Sequence, residues 1–309
     1  MKFGVFLPVS GRAAAGVLGE AARRAEALGY DSVWAADRIV TPWEIATPYP
    51  YHEDRRFFVP PDAPFLEPLT CLAYLAACTE RVRLGMSVLV LPYRHPLHWA
   101  KVATTIDHLS RGRLVLGIGV GWMAEEFDAL GVPFKDRAAI AEEQLQVVTR
   151  LWGEARPTFQ GRYYRFPPLG FAPKPFQQPR IPLWVGGESA AARRRAARWG
   201  DAWFPYFVRI TPAELRARFD EARAWAREGG RDPDTLRLNC CLPVEVTPAP
   251  VAQEADRLRG TPAQIAEALR AFRAIGVEHL VLQFMAPRWP ERLEQIERVA
   301  REALPAVRA

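Results

Sequence analysis

The sequence predicts a (β/α)8 TIM barrel with inserted loops, and three observations lead to this prediction. Short β-rich runs alternate with helical patterns along the 309 residues, which is typical of parallel sheets built from βα units. Eight such runs can be placed, the number that closes a barrel. No low-complexity linker and no repeat of fixed period divides the chain. We therefore expect a single domain spanning residues 1–309, although length alone would suggest two.

The first βα unit is the clearest. Residues 2–8 form an apolar run, apolar residues recur at helical spacing from Leu18 to Leu28, and Gly29 supplies a left-handed helix end. The other strands are predicted at residues 31–37, 81–91, 113–120, 181–187, 201–205, 236–246 and 277–284. Two intervening helices begin with a capping box and a proline at the first helical position. Their start signals are Thr211, Pro212 and Glu214, and Thr261, Pro262 and Gln264.

Two segments rich in proline and aromatic residues interrupt the alternation, residues 38–65 and residues 156–180. Long loops that follow a barrel strand lie where the chemistry lies. Because residues 38–65 follow the second strand directly, we expect them to wall a substrate pocket. Residues 156–180 follow a helix, and an insertion used for packing or for subunit contact explains them at least as well.

The charge pattern argues against a nucleic-acid partner. The formal net charge is +6, and only four of the 41 basic residues are lysines. Arginines alternate with acidic residues along the helices instead of gathering on one face. The basic run at residues 193–195 is interpreted as a solvated helix face, with a side chain that reaches a phosphate as the alternative. No apolar stretch approaches ~20 residues and the start lacks a secretion signal, so we expect a cytoplasmic protein with no membrane partner.

The four cysteines do not indicate a disulfide framework or a metal site, because they are too few and too irregularly spaced. Cys71 and Cys78 lie about two helical turns apart in an apolar pattern, which predicts burial on one face. Cys240 and Cys241 lie in a predicted strand, where alternation turns one of them inward. No metal site is expected.

Active residues of a barrel lie at the carboxyl ends of its strands. In this sequence those ends offer Asp37, Arg38, Ser87, Val88, residues 119–122, residues 186–189 and Gln283. The fifth end is the most informative, because two glycines precede Glu188 and Ser189 at the start of a helix. Exposed amides and the helix dipole attract phosphate there, and the serine can donate a hydrogen bond. A glycine turn with a serine cap also occurs without a ligand, so the pattern alone leaves both interpretations open.

The run GIGVG resembles a dinucleotide fingerprint but is not one. It lacks the third glycine that opens a helix near the first strand of a dinucleotide-binding unit. Gly117, Gly119 and Gly121 either let the strand end lie close to a flat ligand or relieve crowding inside the barrel.

Two further residue types can carry acid–base chemistry. Asp37 lies where a carboxylate would be partly desolvated, which suits hydrogen bonding to a ring or proton transfer. An ion pair with Arg38 is the alternative. His95 opens the helix after the third strand and could act as acid, base or substrate anchor, with a structural hydrogen bond as the alternative.

Taken together, these segments resemble the bacterial luciferase-like monooxygenase superfamily, and within it the branch that depends on the deazaflavin coenzyme F420. The resemblance covers nearly the whole chain, and its most specific segments are HLSRGRLVLGIGVGW and EEFDALGVPF. It implies a barrel with an inserted region, with a flavin or deazaflavin across the carboxyl ends of the strands. It also implies a homodimer.

The resemblance assigns roles residue by residue. Asp37 is similar to the aspartate near the ring, and Trp43 to an aromatic residue that lines the pocket of sugar-phosphate dehydrogenases in this group. Ser87 and Val88 match the site of a non-prolyl cis peptide whose bulge backs the ring. The loop that holds the cofactor phosphate is matched by Gly186, Gly187, Glu188 and Ser189.

Two positions depart from those dehydrogenases. They carry histidine after the aspartate and glutamate near position 122, where this sequence has Arg38 and Trp122. We therefore do not expect activity on a sugar phosphate. Glu126 lies nearby on a helical stretch, and we expect it to make a structural contact.

The resemblance thus predicts an oxidoreductase that transfers a hydride between coenzyme F420 and a small organic substrate. In this interpretation Gly119 lies close to the ring, and Asp37, Arg38 or His95 supplies a proton or anchors the substrate. The apolar walls of the pocket would be Trp43, Tyr93, Trp122 and residues 38–65.

Three other interpretations remain. An FMN-dependent monooxygenase, supplied with reduced flavin by a separate reductase and using oxygen, would use the same site. A non-catalytic flavin-binding relative is favoured if residues 38–65 fill the substrate space. A redox-free lyase or isomerase would need a lysine or metal cluster at the strand ends, and the sequence offers none there.

Overall fold

The computed structural model describes residues 1–11, 14–207, 209–286 and 288–308. Within these ranges the strands are β1 (Lys2–Phe6), β2 (Ser32–Ala35), β3 (Arg83–Met86), β4 (Leu89–Val90), β5 (Leu114–Gly119), β6 (Phe159–Gln160), β7 (Arg165–Phe166), β8 (Leu183–Val185), β9 (Ala202–Trp203), β10 (Arg237–Val246), β11 (Leu258–Gly260) and β12 (Val277–Phe284). The α-helices are α1 (Ala14–Ala27), α2 (Pro68–Cys78), α3 (Pro96–Leu109), α4 (Ala124–Ala129), α5 (Arg137–Gly153), α6 (Ala190–Trp199), α7 (Pro212–Glu228), α8 (Pro262–Ala274), α9 (Trp289–Arg298) and α10 (Leu304–Arg308).

Eight parallel strands close into a barrel in the order β1, β2, β3, β5, β8, β9, β10 and β12. The ring is completed where β12 pairs with β1 and where β9 pairs with β10. This confirms the predicted (β/α)8 barrel. Because all eight strands run in one direction, their carboxyl ends form a single rim, the barrel mouth.

The predicted strand at residues 81–91 is divided in two. β3 ends at Met86, the Ser87-Val88 peptide bond is cis, and β4 pairs with the end of β5. Just before this break β3 approaches β5 closely. A Cβ on Gly117 of β5 would lie only 1.9 Å from the carbonyl oxygen of Met86 in β3. Two roles were open for Gly117, and this close approach to Met86 supports the relief of crowding inside the barrel.

The sequence pattern misses three short strands, β6, β7 and β11. β11 extends the sheet alongside the end of β10, and its three residues are too few to give a periodic signal. Residues 156–180, predicted as a loop, contain the antiparallel pair β6 and β7, in which the rings of Phe159 and Phe166 stack with centroids 6.1 Å apart.

Aromatic side chains fill the barrel below the mouth. The ring of Trp34 lies 4.9 Å from that of Trp184 and 4.8 Å from that of Phe204, centroid to centroid. Gly4 and Gly85 make room for it, since a Cβ on Gly85 would lie 2.3 Å from the Trp34 ring. A ligand of this barrel therefore has to lie at the mouth, above these rings.

One buried polar group shares this interior. The His279 Nε2 atom lies 2.7 Å from the Ser32 hydroxyl oxygen, which accepts a hydrogen bond from the Trp34 indole N–H. Burial lowers the pKa of His279 to about 3, so the imidazole is neutral near pH 7 and stabilises the core as a hydrogen-bonding group.

Local signals at helix starts are confirmed. Thr211 and Thr261 each cap a helix, and both capping boxes are complete. The strand alternation predicted for the adjacent cysteines is confirmed, because Cys241 packs with Trp34 inside the barrel and Cys240 lies in the core on the other face of β10, so that both are buried. β10 lies between the filled barrel interior and the outer helices, and a barrel strand covered on both faces buries consecutive side chains.

The described residues contain no helix with both the length and the hydropathy needed to cross a bilayer. Over the same part of the chain, no cluster of three or more His, Cys, Asp or Glu side chains is arranged to hold a metal ion.

Candidate active site at the barrel mouth

The turn after β8 brings backbone amides to the mouth. Gly186 donates its N–H to the Ile118 carbonyl, and Gly187 has a positive φ of 97°. Ser189 then caps α6 by accepting the Ala192 N–H at 3.2 Å. The first amides of a helix have no intrahelical acceptor, so they can bind an anion. A Cβ on Gly186 would lie 2.7 Å from Val88, which explains why this turn requires glycine.

Two of the three arginines beside this turn form ion pairs. Arg193 donates to the Glu188 carbonyl and to Glu221, each at 2.7 Å. Arg195 bonds to Glu142 at 2.8 Å, and both arginine side chains are almost fully buried. The interpretation of residues 193–195 as a solvated face is therefore wrong for these two. An anion at the turn would be held by amides and the Ser189 hydroxyl.

Glu188 is the titratable residue of this turn. Burial raises its pKa to about 7, and Arg218 only partly opposes the rise. Burial also raises the pKa of Tyr51 to about 12, and the charge of Glu188 adds to that rise. The Tyr206 hydroxyl is affected by Glu188 in the same way. The Glu188 carboxyl group thus lies near two protonated tyrosines and changes charge around neutral pH.

The Asp37 side chain is fully buried and does not pair with Arg38. Its two carboxylate oxygens receive the Arg94 guanidinium at 2.7 and 2.8 Å, and one of them also accepts the Val90 N–H at 2.8 Å. The alternative of an Asp37–Arg38 ion pair is therefore wrong. Asp37 instead ties the end of β2 to β4 and to the start of α3.

Arg38 pairs with Glu126, a residue of α4, and only 6% of the Arg38 side chain is exposed. Glu126 also accepts the Tyr93 hydroxyl at 2.7 Å and the Ile39 N–H at 2.8 Å, so the structural contact expected for it is confirmed. The guanidinium lies 4.7 Å from the centre of the Phe57 ring. Its Nε atom is buried without a hydrogen-bond partner, so one donor remains available at the mouth.

Aromatic residues of the segment 38–65 cover the mouth. The Tyr49 ring lies 4.9 Å from Trp122, Phe57 lies 5.6 Å from Trp122, and Tyr51 lies 5.4 Å from Tyr206, between ring centroids. Trp122 follows β5 and Tyr206 follows β9. The segment therefore contacts two separate parts of the rim.

Ser87 and Val88 lie inside this rim. Val88 packs against the end of β5, because a Cβ on Gly119 would lie 2.5 Å from its side chain. The Ser87 N–H donates to the Ala35 carbonyl at 2.8 Å. The cis bond, Gly119 and the turn at Gly186 are thus neighbours, as the resemblance implies.

Two predicted pocket residues, Trp43 and Tyr93, and the predicted catalytic residue His95 lie elsewhere. Trp43 is 79% exposed and lines a surface groove of about 660 Å³ on residues 42–61. Tyr93 is buried behind Arg38, against Phe127. His95 caps α3 by accepting the Leu97 N–H at 3.3 Å, and its exposed ring contacts Tyr164.

The residues that sequence reasoning misses come from the covering segment and from the opposite rim. The sequence feature that could have found the aromatic ones is the high content of aromatic residues in 38–65. This content predicts a pocket wall but does not indicate which rings face the mouth. Orientation depends on contacts with distant residues. The missed group is Tyr49, Tyr51, Phe57 and Tyr206 among the aromatic residues, and Glu53, Arg209 and Arg257 among the charged ones.

The candidate site is thus the mouth of a closed parallel barrel, with the glycine-serine turn on its rim. The chain belongs to the luciferase-like monooxygenase family, whose family model matches residues 1–259. Membership of this family supports an enzyme. The individual relatives differ in the cofactor that they are named for.

Two curated relatives carry different cofactors in their names. The F420-dependent glucose-6-phosphate dehydrogenase of Kineococcus radiotolerans is 31% identical over 317 residues, covering 89% of this chain and 88% of that protein. The FMNH(2)-dependent dimethylsulfone monooxygenase of Pseudomonas putida is 28% identical over 294 residues, covering 78% of each. An uncharacterized protein of Mycobacterium tuberculosis is 37% identical over 182 residues, and the chain spans 62% of its length.

Among solved structures, an F420-dependent secondary alcohol dehydrogenase in complex with an F420-acetone adduct has a TM-score of 0.79 with this fold. The match covers 100% of this chain and 99% of that chain, at 20% identity. This similarity shows a shared fold.

Proposed function

We propose that this protein is an oxidoreductase that transfers a hydride between coenzyme F420 and a small organic substrate. The observation that carries the proposal is the turn after β8, where Gly187 and Ser189 present free amides and a hydroxyl at the barrel mouth. Membership of the family and the F420-dependent relative from Kineococcus support the same cofactor.

The residues at the mouth fit a phosphorylated, planar cofactor. In the proposed complex the amides that follow Gly187 and the Ser189 hydroxyl hold the phosphate, since both arginines nearest to them are paired elsewhere. The backbone at Ser87 and Val88 backs the ring, next to Gly119. Bound F420 supplies hydride donor or acceptor chemistry at C5 of its deazaflavin ring.

Arg38 is the proposed substrate anchor. Its unpartnered Nε atom can donate a hydrogen bond to a substrate oxygen, and Glu126 holds the guanidinium in place. Glu188 and the Tyr51 hydroxyl are the proposed groups that hold a proton near the substrate. With a pKa of about 12, Tyr51 is protonated at neutral pH, and with a pKa of about 7, Glu188 gains or loses its proton around neutral pH. Trp122 forms the apolar wall.

Two residues predicted as catalytic take positioning roles in this proposal. Asp37 has its carboxylate oxygens bonded to Arg94 and Val90, so it fixes the rim beside the ring instead of transferring a proton. His95 caps α3 and contacts Tyr164, away from the aromatic cover. Both assignments follow from hydrogen bonds that the residues already make.

A sugar phosphate is not the proposed substrate. Arg38 and Trp122 occupy the positions where the sugar-phosphate dehydrogenases of the resemblance carry histidine and glutamate. The ring of Trp122 contacts Tyr49 and Phe57, so this side of the mouth is apolar. An organic alcohol or carbonyl compound suits such a wall better than a polyhydroxylated substrate.

The second candidate is an FMN-dependent monooxygenase supplied with reduced flavin by a separate reductase. The similarity to the dimethylsulfone monooxygenase favours it, and the phosphate turn serves either cofactor. We further propose a homodimer in the cytoplasm. Neither candidate involves nucleic acid.

Titration of the purified protein with F420 and, separately, with FMN tests the proposal by the quenching of cofactor fluorescence. We expect saturable quenching of F420 and a weaker response of FMN. Tight FMN binding without an F420 response selects the monooxygenase, and no response to either cofactor overturns both candidates.

A pair of matched variants tests the phosphate turn. Ser189→Ala removes the cap of α6 and the proposed phosphate donor, and we expect roughly tenfold weaker cofactor binding. Thr261→Ala removes the cap of α8, with a similar effect on helix stability but no effect on cofactor binding. Equal weakening by both variants would show that the turn acts through stability alone.

A further inference from the structure

Residues 49–58 cross the barrel mouth as a continuous bridge. On one side Tyr49 and Phe57 contact Trp122 after β5, and on the other Tyr51 contacts Tyr206 after β9. The Tyr49 N–H donates to the Arg55 carbonyl at 2.8 Å, so the bridge is a closed loop in itself.

One end of this bridge is fixed to the rim. The carboxylate of Glu125 accepts the Ala46 and Thr47 N–H groups at 2.8 and 2.9 Å. Prolines then flank the bridge at positions 48 and 60, where they restrict the backbone. Motion of residues 49–58 therefore has defined limits at both ends.

Charged contacts hold the far side of the bridge. Glu53 accepts the Arg209 Nε–H at 3.0 Å and also pairs with Arg257. Both arginines belong to the opposite rim, where Arg209 also bonds to Glu254 at 3.0 Å and to Asp256. Glu53 is thus the carboxylate that joins the bridge to a charge network of the other side.

The ion pairs that attach Glu53 to the opposite rim are expected to be weak. Glu53 is 59% exposed and Arg209 is 42% exposed. Exposed ion pairs contribute little and are screened by salt. A contact of this kind closes the mouth but releases readily.

The cover also hides an incomplete site. Phe57 stacks over Arg38, whose buried Nε atom has no hydrogen-bond partner. Buried polar groups are almost always bonded in a permanent core. A cover that opens and admits a ligand oxygen would complete the bonding of Arg38, whereas a permanent plug would not.

We propose that residues 49–58 are a lid over the mouth and that Glu53 is its latch, released when its pairs with Arg209 and Arg257 break. A ligand then reaches the buried Arg38 side chain, beneath Phe57, through the open lid. The lid does not depend on which cofactor the site takes.

Hydrogen–deuterium exchange of the protein without ligand tests the latch directly. In Glu53→Gln, we expect the peptide that contains the Tyr49 amide to exchange roughly threefold to tenfold faster than in the wild type, the size that two exposed pairs supply. Raised salt should speed the same peptide in the wild type but not in the variant. Arg257→Gln, from the other side of the pair, should reproduce part of the effect.

Glu254→Gln is the matched control, because it removes a carboxylate from the same network without cutting the bridge. We expect its lid peptide to exchange at the wild-type rate. Unchanged exchange in Glu53→Gln, or equal acceleration in Glu254→Gln, would overturn the latch. If the amides of the lid peptide exchange as slowly as those of the barrel strands, residues 49–58 are a permanent plug and not a lid. Because no cofactor is present, these results are independent of the titrations above.

Discussion

Glu188 shows at the scale of one residue how an environment sets a charge. The carboxyl group faces Tyr51 and Tyr206, with Arg218 as the nearby cation. Since its folded pKa is about 7, the protonated form favours folding. That contribution is complete below the ordinary pKa of a glutamate and is lost as pH rises through about 7.

We therefore expect Glu188→Gln to be more stable than the wild type at pH 8, by about 1 kcal/mol after allowance for solvent screening, and equal to it at pH 4. Urea denaturation at the two pH values measures the difference. Glu267→Gln, an exposed change on α8, should show no such pH dependence. A wild type that is equally or more stable at pH 8 would contradict the raised pKa.

Sequence reasoning at this scale finds residues but not their partners. Asp37 and Arg38 were both identified as rim residues, and both are at the rim. Their ion pairs are with Arg94 and Glu126, which lie 57 and 88 positions away. Adjacent residues suggested a pair with each other, because the pattern contains no information about which distant charges arrive when the barrel closes.

At the scale of single elements, β5 shows how a glycine permits close strand packing. Gly117 faces the backbone of β3, where a Cβ would lie 1.9 Å from the Met86 carbonyl oxygen. Neither strand can move without disturbing its other neighbour in the closed ring. The glycine is therefore required by the element, independently of any ligand.

Gly117→Ala should lower the free energy of unfolding by about 3 kcal/mol. Gly16→Ala makes the same substitution in α1, where nothing lies within 4 Å of the new Cβ. There we expect a gain of about 0.5–1 kcal/mol, because alanine favours a helix over glycine. Thermal and urea unfolding of both variants provide the comparison, and a neutral Gly117→Ala would show that β3 can shift away.

Elements with strong local signals are those that the sequence predicts best. The capping boxes at Thr211 and Thr261 define helix starts because each is complete within four residues. The division of residues 81–91 into β3 and β4 has no such signal, since it depends on how closely β5 approaches. The resemblance, not the periodicity, indicated a break at Ser87 and Val88.

For the whole molecule, aromatic packing inside the barrel contributes stability that an exposed ring does not. Trp34 contacts Trp184 and Phe204, whereas Trp43 projects from the surface with 79% of its side chain exposed. Substitution of each tryptophan therefore compares the contribution of a buried ring and of an exposed ring to the free energy of unfolding.

Trp34→Ala should destabilise the protein by about 3–5 kcal/mol through lost burial and the cavity left behind. Trp43→Ala should change stability by no more than about 0.5 kcal/mol. Urea denaturation followed by circular dichroism compares the two. A large loss from Trp43→Ala would mean that the exposed ring is covered in solution, for example by a second subunit.

The sequence by itself determined the number and order of the βα units, the helix starts and the glycine-serine turn after β8, because each depends on residues that are neighbours along the chain. Only the tertiary structure decided that Tyr49, Tyr51 and Phe57 face the mouth, that Trp43 faces away, and that Glu53 meets Arg209. Those contacts join segments up to 156 positions apart, and closure of the barrel is what brings such segments together.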